Sequence, residues 1–388
     1  MTQFDVIVVG MGGVGSATLY QLARRGVKAL AIDPFPIAHD RGSSHGQTRI
    51  IRQAYFEHPD YVPLVLAAYR GWAELEARRR RKLLHQVGLL QVGPPAGEVI
   101  AGVLASARRH RLPIEEVAPE AIAARWPGLA APDRSHLGVF EPAAGYLEVE
   151  NCVRAYVEEA LMLGAAALTG ESVLSWHATT DQVRVVTESS RFTASRLIIT
   201  AGAWAGQLLT DLRIPLTVLR KPLFWYRPQG SQYEAQRGCP CFLYETAAGE
   251  FYGVPSLEPW GVKIAEHTGG ERVDDPLLVD RDLRATDQQR VDAFVREHLS
   301  HLQGQPAHHA VCLYTVSPDR HFVIDRHPEH GNVCYAAGLS GHGFKFAPAL
   351  GQALADLALD GATELPIGFL GAERFRSVSK FADRAATQ

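Results

Sequence analysis

Gly10-Met11-Gly12-Gly13-Val14-Gly15 has the spacing G-x-G-x-x-G, and Asp33 closes the next apolar run. Each glycine has a mechanical task. The first permits a tight turn, the second lets backbone approach a pyrophosphate, and the third lets helix and strand pack closely. A helix opening there turns its N-terminal partial positive charge toward phosphate. A carboxylate at Asp33 accepts from a ribose 2′-hydroxyl, which disfavours a 2′-phosphate and so NADP. These residues suit NAD and FAD equally. The bland alternative is a Gly-rich turn with no ligand, and the strand before it and helix after it argue against that.

Three further segments carry residues suited to chemistry. They are Gly42-Ser43-Ser44-His45-Gly46-Gln47-Thr48-Arg49-Ile50-Ile51-Arg52, then Ala310-Val311-Cys312-Leu313-Tyr314-Thr315, then Gly338-Leu339-Ser340-Gly341-His342-Gly343-Phe344-Lys345-Phe346. Taken alone, a buried cysteine such as Cys312 is ordinarily core filler. As a nucleophile it needs a cationic neighbour. Gly341-His342-Gly343 has too little side chain to hold backbone away from a planar ring. Pro348 suits the first turn of the helix that follows.

The elements that position these residues alternate at both ends of the chain. Residues 4–10 and 28–33 read as parallel strands buried on both faces, with a helix over 13–25 between them. A polar loop covers 36–59, and helices are predicted over 61–82, 150–163, 286–299 and 345–359. Strands are predicted near 183–188, 196–202 and 332–338. Between 215 and 327, short strands such as 223–226 and 251–254 separated by Gly and Pro turns read as a mixed or antiparallel sheet. The α/β ends and the unlike middle predict a discontinuous nucleotide-binding domain with a second domain inserted.

Composition narrows the class. The chain has 388 residues, 46% apolar, enough for a sizeable core in two domains. A net charge of −3 gives no electrostatic footprint for nucleic acid or an anionic membrane. No apolar run is long enough to span a bilayer. The five cysteines are odd in number and scattered, so they are not a disulfide framework. No signal peptide or peroxisomal C-terminus (the chain ends Arg-Ala-Ala-Thr-Gln) is read, and cytoplasmic localisation is the expectation. The run Arg78–Lys82 reads as a solvated helix end. Cys239-Pro-Cys241 lacks a second ligand pair, so no metal is expected. His308, His309, His327 and His330 are read as surface residues in turns.

With the N-terminal glycines, the three segments resemble the monomeric sarcosine oxidase and N-methyltryptophan oxidase family, with pipecolate oxidases as further relatives. The resemblance runs essentially end to end. It implies an α/β fold: a Rossmann-like FAD-binding domain and an inserted catalytic domain built on a large mixed β-sheet. The expected division is 1–84, 150–214 and 319–388 for FAD, and 85–149 and 215–318 for substrate. The implied reaction oxidises a secondary amino acid to an imine, reduces O2 to H2O2, and leaves the imine to hydrolyse. The implied cofactor is FAD, bound covalently as an 8α-S-cysteinyl thioether at Cys312. The implied partners are a small secondary amino acid and O2, with no nucleic acid or membrane, in a monomer.

The resemblance also assigns residues. Lys263, Arg49, His267 and Tyr252 take catalytic positions, Lys263 being tied to oxygen activation. Arg52 and Lys345 match the pair that holds the substrate carboxylate, and Tyr314 and Leu243 line the substrate cavity. The cofactor set is Gly10, Gly12, Gly15, Asp33, Ser43, Ser44, His45, Thr48, Val173, Gly202, Trp204, Cys312, Gly341, Gly343, Phe344 and Lys345. Two positions depart from sarcosine oxidases: Ser44 replaces one of two adjacent histidines, and Leu243 stands at a methionine position. Both bear on the substrate and leave the flavin chemistry alone. Rival expectations are a dehydrogenase that passes electrons to another carrier, an NAD-linked dehydrogenase, and a dinucleotide-binding protein without turnover.

Overall fold

The structure, a computed structural model, describes residues 3–302 and 304–375. The C-terminal Arg-Ala-Ala-Thr-Gln lies outside them. The chain divides into two compact units. One comprises Met1–His45, Glu150–Leu219 and Leu313–Gln388; the other comprises Gly46–Val149 and Arg220–Cys312.

The first unit is built on an eight-stranded sheet. Gln3–Val9 pairs in parallel with Ala29–Asp33 on one side and Arg191–Ile199 on the other. Ala166–Thr169 and Val333–Ala337 extend the parallel part at its two sides. Ala29–Asp33 and Val333–Ala337 are buried at every residue, as near-continuous apolar runs in a parallel sheet should be. The helix Gly13–Ala23 is likewise buried throughout. The antiparallel pair Val173–Ala178 and Val183–Thr187 lies beside Arg191–Ile199. The helix Ala347–Leu359 has Pro348 in its first turn, as expected.

The second unit contains a nine-stranded mixed sheet. Its central strands are Gly261–Glu266, Gly249–Leu257, Cys241–Thr246, Leu89–Gly93 and Leu137–Glu141. Alternation splits their side chains between two cores. One face carries Leu90, Val92, Phe242, Tyr244, Phe251 and Ile264, packed with the helix Ala285–His298. The Phe251 and Phe294 rings stack there with centroids 4.6 Å apart. The other face carries Leu89, Val139, Cys241, Leu243 and Val254, packed with Val99, Ile100 and Val103 of the helix Glu98–His110.

Three differences from the sequence reading have physical causes. Residues 46–84 group with the second unit, so the first division falls at 45/46 and not at 84/85. Thr48–Ile51 and Leu84–His85 both pair with Gly145–Glu148, and the Tyr69 hydroxyl donates to the Ala143 carbonyl at 2.9 Å. The helix predicted over 61–82 spans Tyr61–Arg79, because Arg80 turns left-handed at φ 49° and closes it. His327 is buried and not on the surface; its ring meets Asp211 at 2.7 Å. His308 lies in the strand His308–Val316, where its ring stacks on Trp260 at 3.9 Å.

Candidate functional site

In the first unit the glycine loop is built as its spacing predicts. Gly10 has φ +94°, and a Cβ there would lie 2.5 Å from the Thr200 carbonyl oxygen. A Cβ on Gly15 would lie 1.8 Å from the Gly10 carbonyl oxygen, so the helix can reach the strand only with glycine. Gly12 caps the helix without any side-chain partner. A Cβ on it would meet only the Ser44 hydroxyl, at 3.4 Å. Ser44 Oγ accepts from the Gly13 N–H at 3.0 Å, and the Phe344 ring fills the space beside Gly13. Asp33 accepts from the Met11 N–H at 2.7 Å and the Phe35 N–H at 2.9 Å, so it braces the loop. Burial pushes its carboxyl up, opposed by the Met11 N–H, the His39 ring and the Phe35 N–H. A carboxylate has lone pairs beyond these two bonds for a sugar hydroxyl. The helix N-terminus, the side-chain-free cradle at Gly12 and the buried carboxylate together fit a dinucleotide pyrophosphate and ribose.

Thr200 donates to the Val9 and Gly10 carbonyls, tying the Gly202–Trp204 turn to the glycine loop. Trp204 packs on Phe35 with centroids 5.5 Å apart. Ser43 Oγ donates to the Leu313 carbonyl at 2.5 Å, and His45 is buried. Val173 opens its strand four residues beyond Thr169, which pairs with Asp33. At Gly341 the structure revises the sequence reading. The space a Cβ would occupy is filled by the Tyr314 ring at 2.3 Å, and at Gly343 by Leu339 at 2.6 Å. These two glycines therefore serve close packing of the protein itself. Lys345 is buried, and its ammonium donates to the His342 carbonyl at 2.8 Å.

In the second unit the segment 46–52 brings the cationic candidates together. Arg49 donates to Cys312 Sγ at 3.1 Å and to the Thr48 carbonyl at 2.8 Å. Lys263, 1% exposed, donates to the Gly46 and Thr48 carbonyls at 2.7 and 2.8 Å. Its ammonium also lies 5.5 Å from the Trp225 ring centre. Trp225 in turn donates to Gln47 Oε1 at 3.0 Å. The Thr48 hydroxyl is buried with no hydrogen-bond partner among the described residues.

Strand register places Leu243 opposite Tyr252, so these two share one sheet face. The His267 ring meets Tyr252 edge-on, with centroids 6.5 Å apart. Lys221 holds the turn that carries His267. Its ammonium donates to the carbonyls of His267, Thr268 and Gly269 at 3.1, 2.7 and 3.2 Å. Burial pushes Lys221 down to about 8, despite Glu266. Between that value and the ordinary 10.5, the unfolded chain binds the proton and the folded chain does not. This group's contribution to stability therefore rises with pH across that window, by about 3 kcal/mol in all. Thermal melts of Lys221→Met are expected to lack that rise; an unchanged slope would assign it elsewhere.

Arg52 was expected to meet a substrate carboxylate, and in this structure it holds a carboxylate of its own. Its Nη2 contacts both Glu57 oxygens, at 2.6 and 2.7 Å. Its guanidinium lies 4.1 Å from the Tyr55 ring centre and 4.3 Å from that of Phe56. Burial disfavours the Arg52 cation, but Glu57 and the surrounding groups outweigh this and raise its pKa. Sequence reasoning missed Glu57, although it stands five residues away in the same loop. It also missed Lys221.

A glycine loop suited to a dinucleotide and, in the same chain, a mixed-sheet unit carrying buried cations are the features of a dinucleotide-dependent oxidoreductase. The family model for FAD-dependent oxidoreductases (DAO) matches residues 5–357. A monomeric sarcosine oxidase of Bacillus sp. (strain B-0618) is 40% identical over 378 residues, covering 96% of each chain. An N-methyl-L-tryptophan oxidase of Salmonella arizonae is 36% identical, over 92% of this chain and 95% of its own. Among solved structures, the open form of NikD, an unusual amino acid oxidase essential for nikkomycin biosynthesis, superposes with a TM-score of 0.84. It is 25% identical and covers 96% of this chain and 98% of that one. The chain belongs to the FAD-dependent oxidoreductase family, in its sarcosine oxidase and N-methyl-L-tryptophan oxidase branch. Among the described residues no helix is long and apolar enough to cross a membrane.

Proposed function

We propose that this protein oxidises N-methyl or cyclic secondary α-amino acids to imines, with FAD as cofactor and O2 as electron acceptor. The observation that carries the reading is the cluster of half-buried Arg49 with buried Cys312 and Lys263 in a chain of this family. A non-catalytic dinucleotide-binding protein has no use for two cations and a thiol in one place. Bound FAD supplies the two-electron acceptor for the amine carbon and the route by which those electrons reach O2.

The dinucleotide is held through the Gly10–Gly15 loop, Asp33, Ser43, Ser44, His45, Thr48, Val173, Gly202, Trp204 and Phe344. Arg52 and Lys345 bind the substrate carboxylate, a forked donor and a point charge. Tyr314, Leu243, Tyr252 and His267 shape and polarise the substrate cavity. Lys263 places a fixed cation where O2 gains negative charge. The substrate nitrogen must be neutral to release electrons from its neighbouring carbon, so activity rises with pH through the amine pKa. The enzyme acts as a cytoplasmic monomer.

Anaerobic mixing with sarcosine, L-proline, pipecolate and N-methyl-L-tryptophan, each alone, tests the reaction. Bleaching of the yellow protein by one of them is expected. A protein purified yellow that none of them bleaches would overturn the substrate class. Slow recolouring in air after bleaching would favour a dehydrogenase with another acceptor.

Cys312 carries the flavin through a thioether. An arginine donating to a thiol sulfur is the setting in which cysteine acts as a nucleophile. Acid-precipitated wild-type protein is expected to keep its yellow colour in the pellet, and Cys312→Ser to lose it to the supernatant. Colour retained by the serine variant would move the attachment elsewhere.

A further inference from the structure

The turn that follows the strand Gly261–Glu266 carries His267 and has little stiffness of its own. It runs through Gly269 at φ 63° and Gly270 at φ 123°, conformations that glycine alone enters freely. Three consecutive carbonyls of this turn, those of His267, Thr268 and Gly269, converge on one point. The Lys221 ammonium occupies that point, at 3.1, 2.7 and 3.2 Å. Carbonyl oxygens aimed at one place repel one another unless a cation lies between them, as the carbonyl rings around potassium ions show. Lys221 comes from the neighbouring strand Thr217–Tyr226 and is 3% exposed. Burying an ammonium so deeply disfavours the folded state, and burial pulls its pKa down to about 8. The strand gains nothing from that cost, so the cation serves the turn.

The backbone of His267 is held from both sides. Its N–H donates to the Glu250 carbonyl at 2.7 Å, and its own carbonyl accepts from Lys221. The Glu250 N–H in turn donates to the Thr268 hydroxyl at 3.1 Å. Other contacts at this corner act on the strand end and not on the turn. Arg290 donates to both Glu266 oxygens, at 2.7 and 2.6 Å, and to the Ala248 carbonyl at 2.7 Å. The His267 ring is half-buried and meets the half-buried Tyr252 ring edge-on. Both were proposed above to shape the substrate cavity. Tyr252 sits on the strand Gly249–Leu257, so a shift of the turn moves the His267 ring relative to it.

We infer that Lys221 is a positioning residue for amine oxidation, its ammonium fixing the three-carbonyl turn that sets the place of His267 at the substrate. This rests on the reaction proposed above, in which His267 touches the substrate. Lys221 makes and breaks no bond in that reaction and acts only through the carbonyls it holds. Misplacing a group that orients a reactant by about 1 Å can slow the chemistry about 10²-fold. The effect therefore falls on the step that takes electrons from the amine. The reaction with O2 is assigned to Lys263, which other carbonyls hold, those of Gly46 and Thr48.

The test is chemical rescue of the holoenzyme variant Lys221→Ala. The substitution removes a propyl chain and its ammonium, and n-propylammonium supplies the same atoms. Gly269, at the edge of the clasp, is exposed and gives a small cation a way in. Measurements are made at pH 7, below the pKa of Lys221. The amine that bleaches the wild type is expected to reduce Lys221→Ala about 10–100-fold more slowly under anaerobic conditions. Recolouring by O2 should stay within a few-fold of the wild type. n-Propylammonium chloride should recover much of the reduction rate in the variant and leave the wild type unchanged. Tetramethylammonium, which has no N–H donor, should recover none. A clasp that served stability alone would lower the melting temperature and leave reduction unchanged well below it. Reduction of the variant at the wild-type rate therefore overturns the inference. So does equal slowing of both half-reactions, or a rate that n-propylammonium raises no more than tetramethylammonium does. Lys221→Met, which keeps the length and drops the charge, serves if the alanine variant does not fold, and it must show the same asymmetry between half-reactions. If the wild type bleaches and the variant bleaches as fast, only the role of Lys221 fails. If none of the four amines bleaches the wild type, the proposed reaction fails and this role with it.

Discussion

Lys263→Met is expected to slow the oxidation of substrate-reduced enzyme by O2 about 10²–10³-fold, the usual effect of removing one preorganised charge from a developing anion. The anaerobic reduction by substrate should change only a few-fold. The asymmetry follows from when charge appears. Electron transfer to O2 creates negative charge from a neutral molecule, whereas removing a hydride equivalent from a neutral amine creates none on oxygen. Lys263 is suited to the first step because it is fixed before the reaction starts. Its ammonium is buried, held by the Gly46 and Thr48 carbonyls, and lies over the face of Trp225. Methionine keeps the length and removes the charge. The two carbonyls then lose a donor, so some loss of stability accompanies the change, about 1–3 kcal/mol. Stopped-flow measurement of the two half-reactions separates these effects, since a loosened fold slows both. Equal slowing would remove the proposed role, and partial recovery in Lys263→Arg would support a charge effect.

Arg52 and Glu57 give the second large effect, with opposite signs at the two positions. Arg52→Ala is expected to weaken carboxylate binding by about 2–5 kcal/mol, a loss typical of truncating one partner of a buried charge pair. That is roughly 30-fold to several thousand-fold in Kd or KM. Glu57 holds both of its oxygens against the same guanidinium nitrogen, so a substrate carboxylate bound at Arg52, as proposed above, would compete with it. Glu57→Gln keeps the shape and removes the competing charge, and KM is expected to fall several-fold. Arg52→Ala alone also removes a charge partner from the Glu57 carboxylate, which is largely buried. The double variant Arg52→Gln/Glu57→Gln removes that complication, and weak substrate binding should persist in it. Wild-type KM in the double variant would take the carboxylate away from Arg52. Unchanged KM in Glu57→Gln would show that the two carboxylates do not compete.

The sites divide by how far apart in the chain their parts lie. The glycine loop was legible because its requirements are local. Positive φ at Gly10 and close approach at Gly15 are properties of consecutive backbone, and Asp33 follows on the adjacent strand. The alternating strands and helices of the first unit were legible for the same reason, through apolar runs buried on both faces. Identities of single chemical residues such as Cys312, Lys263 and Arg52 were legible as motif members, but their partners were not. Arg49 meets Cys312 across 263 residues of sequence. Gly341 reads as space for a ligand until the Tyr314 ring is found to fill it.

The sequence by itself determined a buried parallel sheet with a dinucleotide loop, an unlike inserted sheet, and the residue types able to do the chemistry. The tertiary structure alone decided that residues 46–84 join the second unit, that Glu57 occupies Arg52, and that Lys221 grips the turn of His267. The physical reason is the range of the interactions. Turns, caps and burial patterns are written in neighbouring residues. The pairing of Thr48–Ile51 with Gly145–Glu148, or of Leu89–Gly93 with Cys241–Thr246, depends on strands whose alternation permits many registers and many partners. One of those arrangements buries all the apolar faces at once, and only the folded chain selects it.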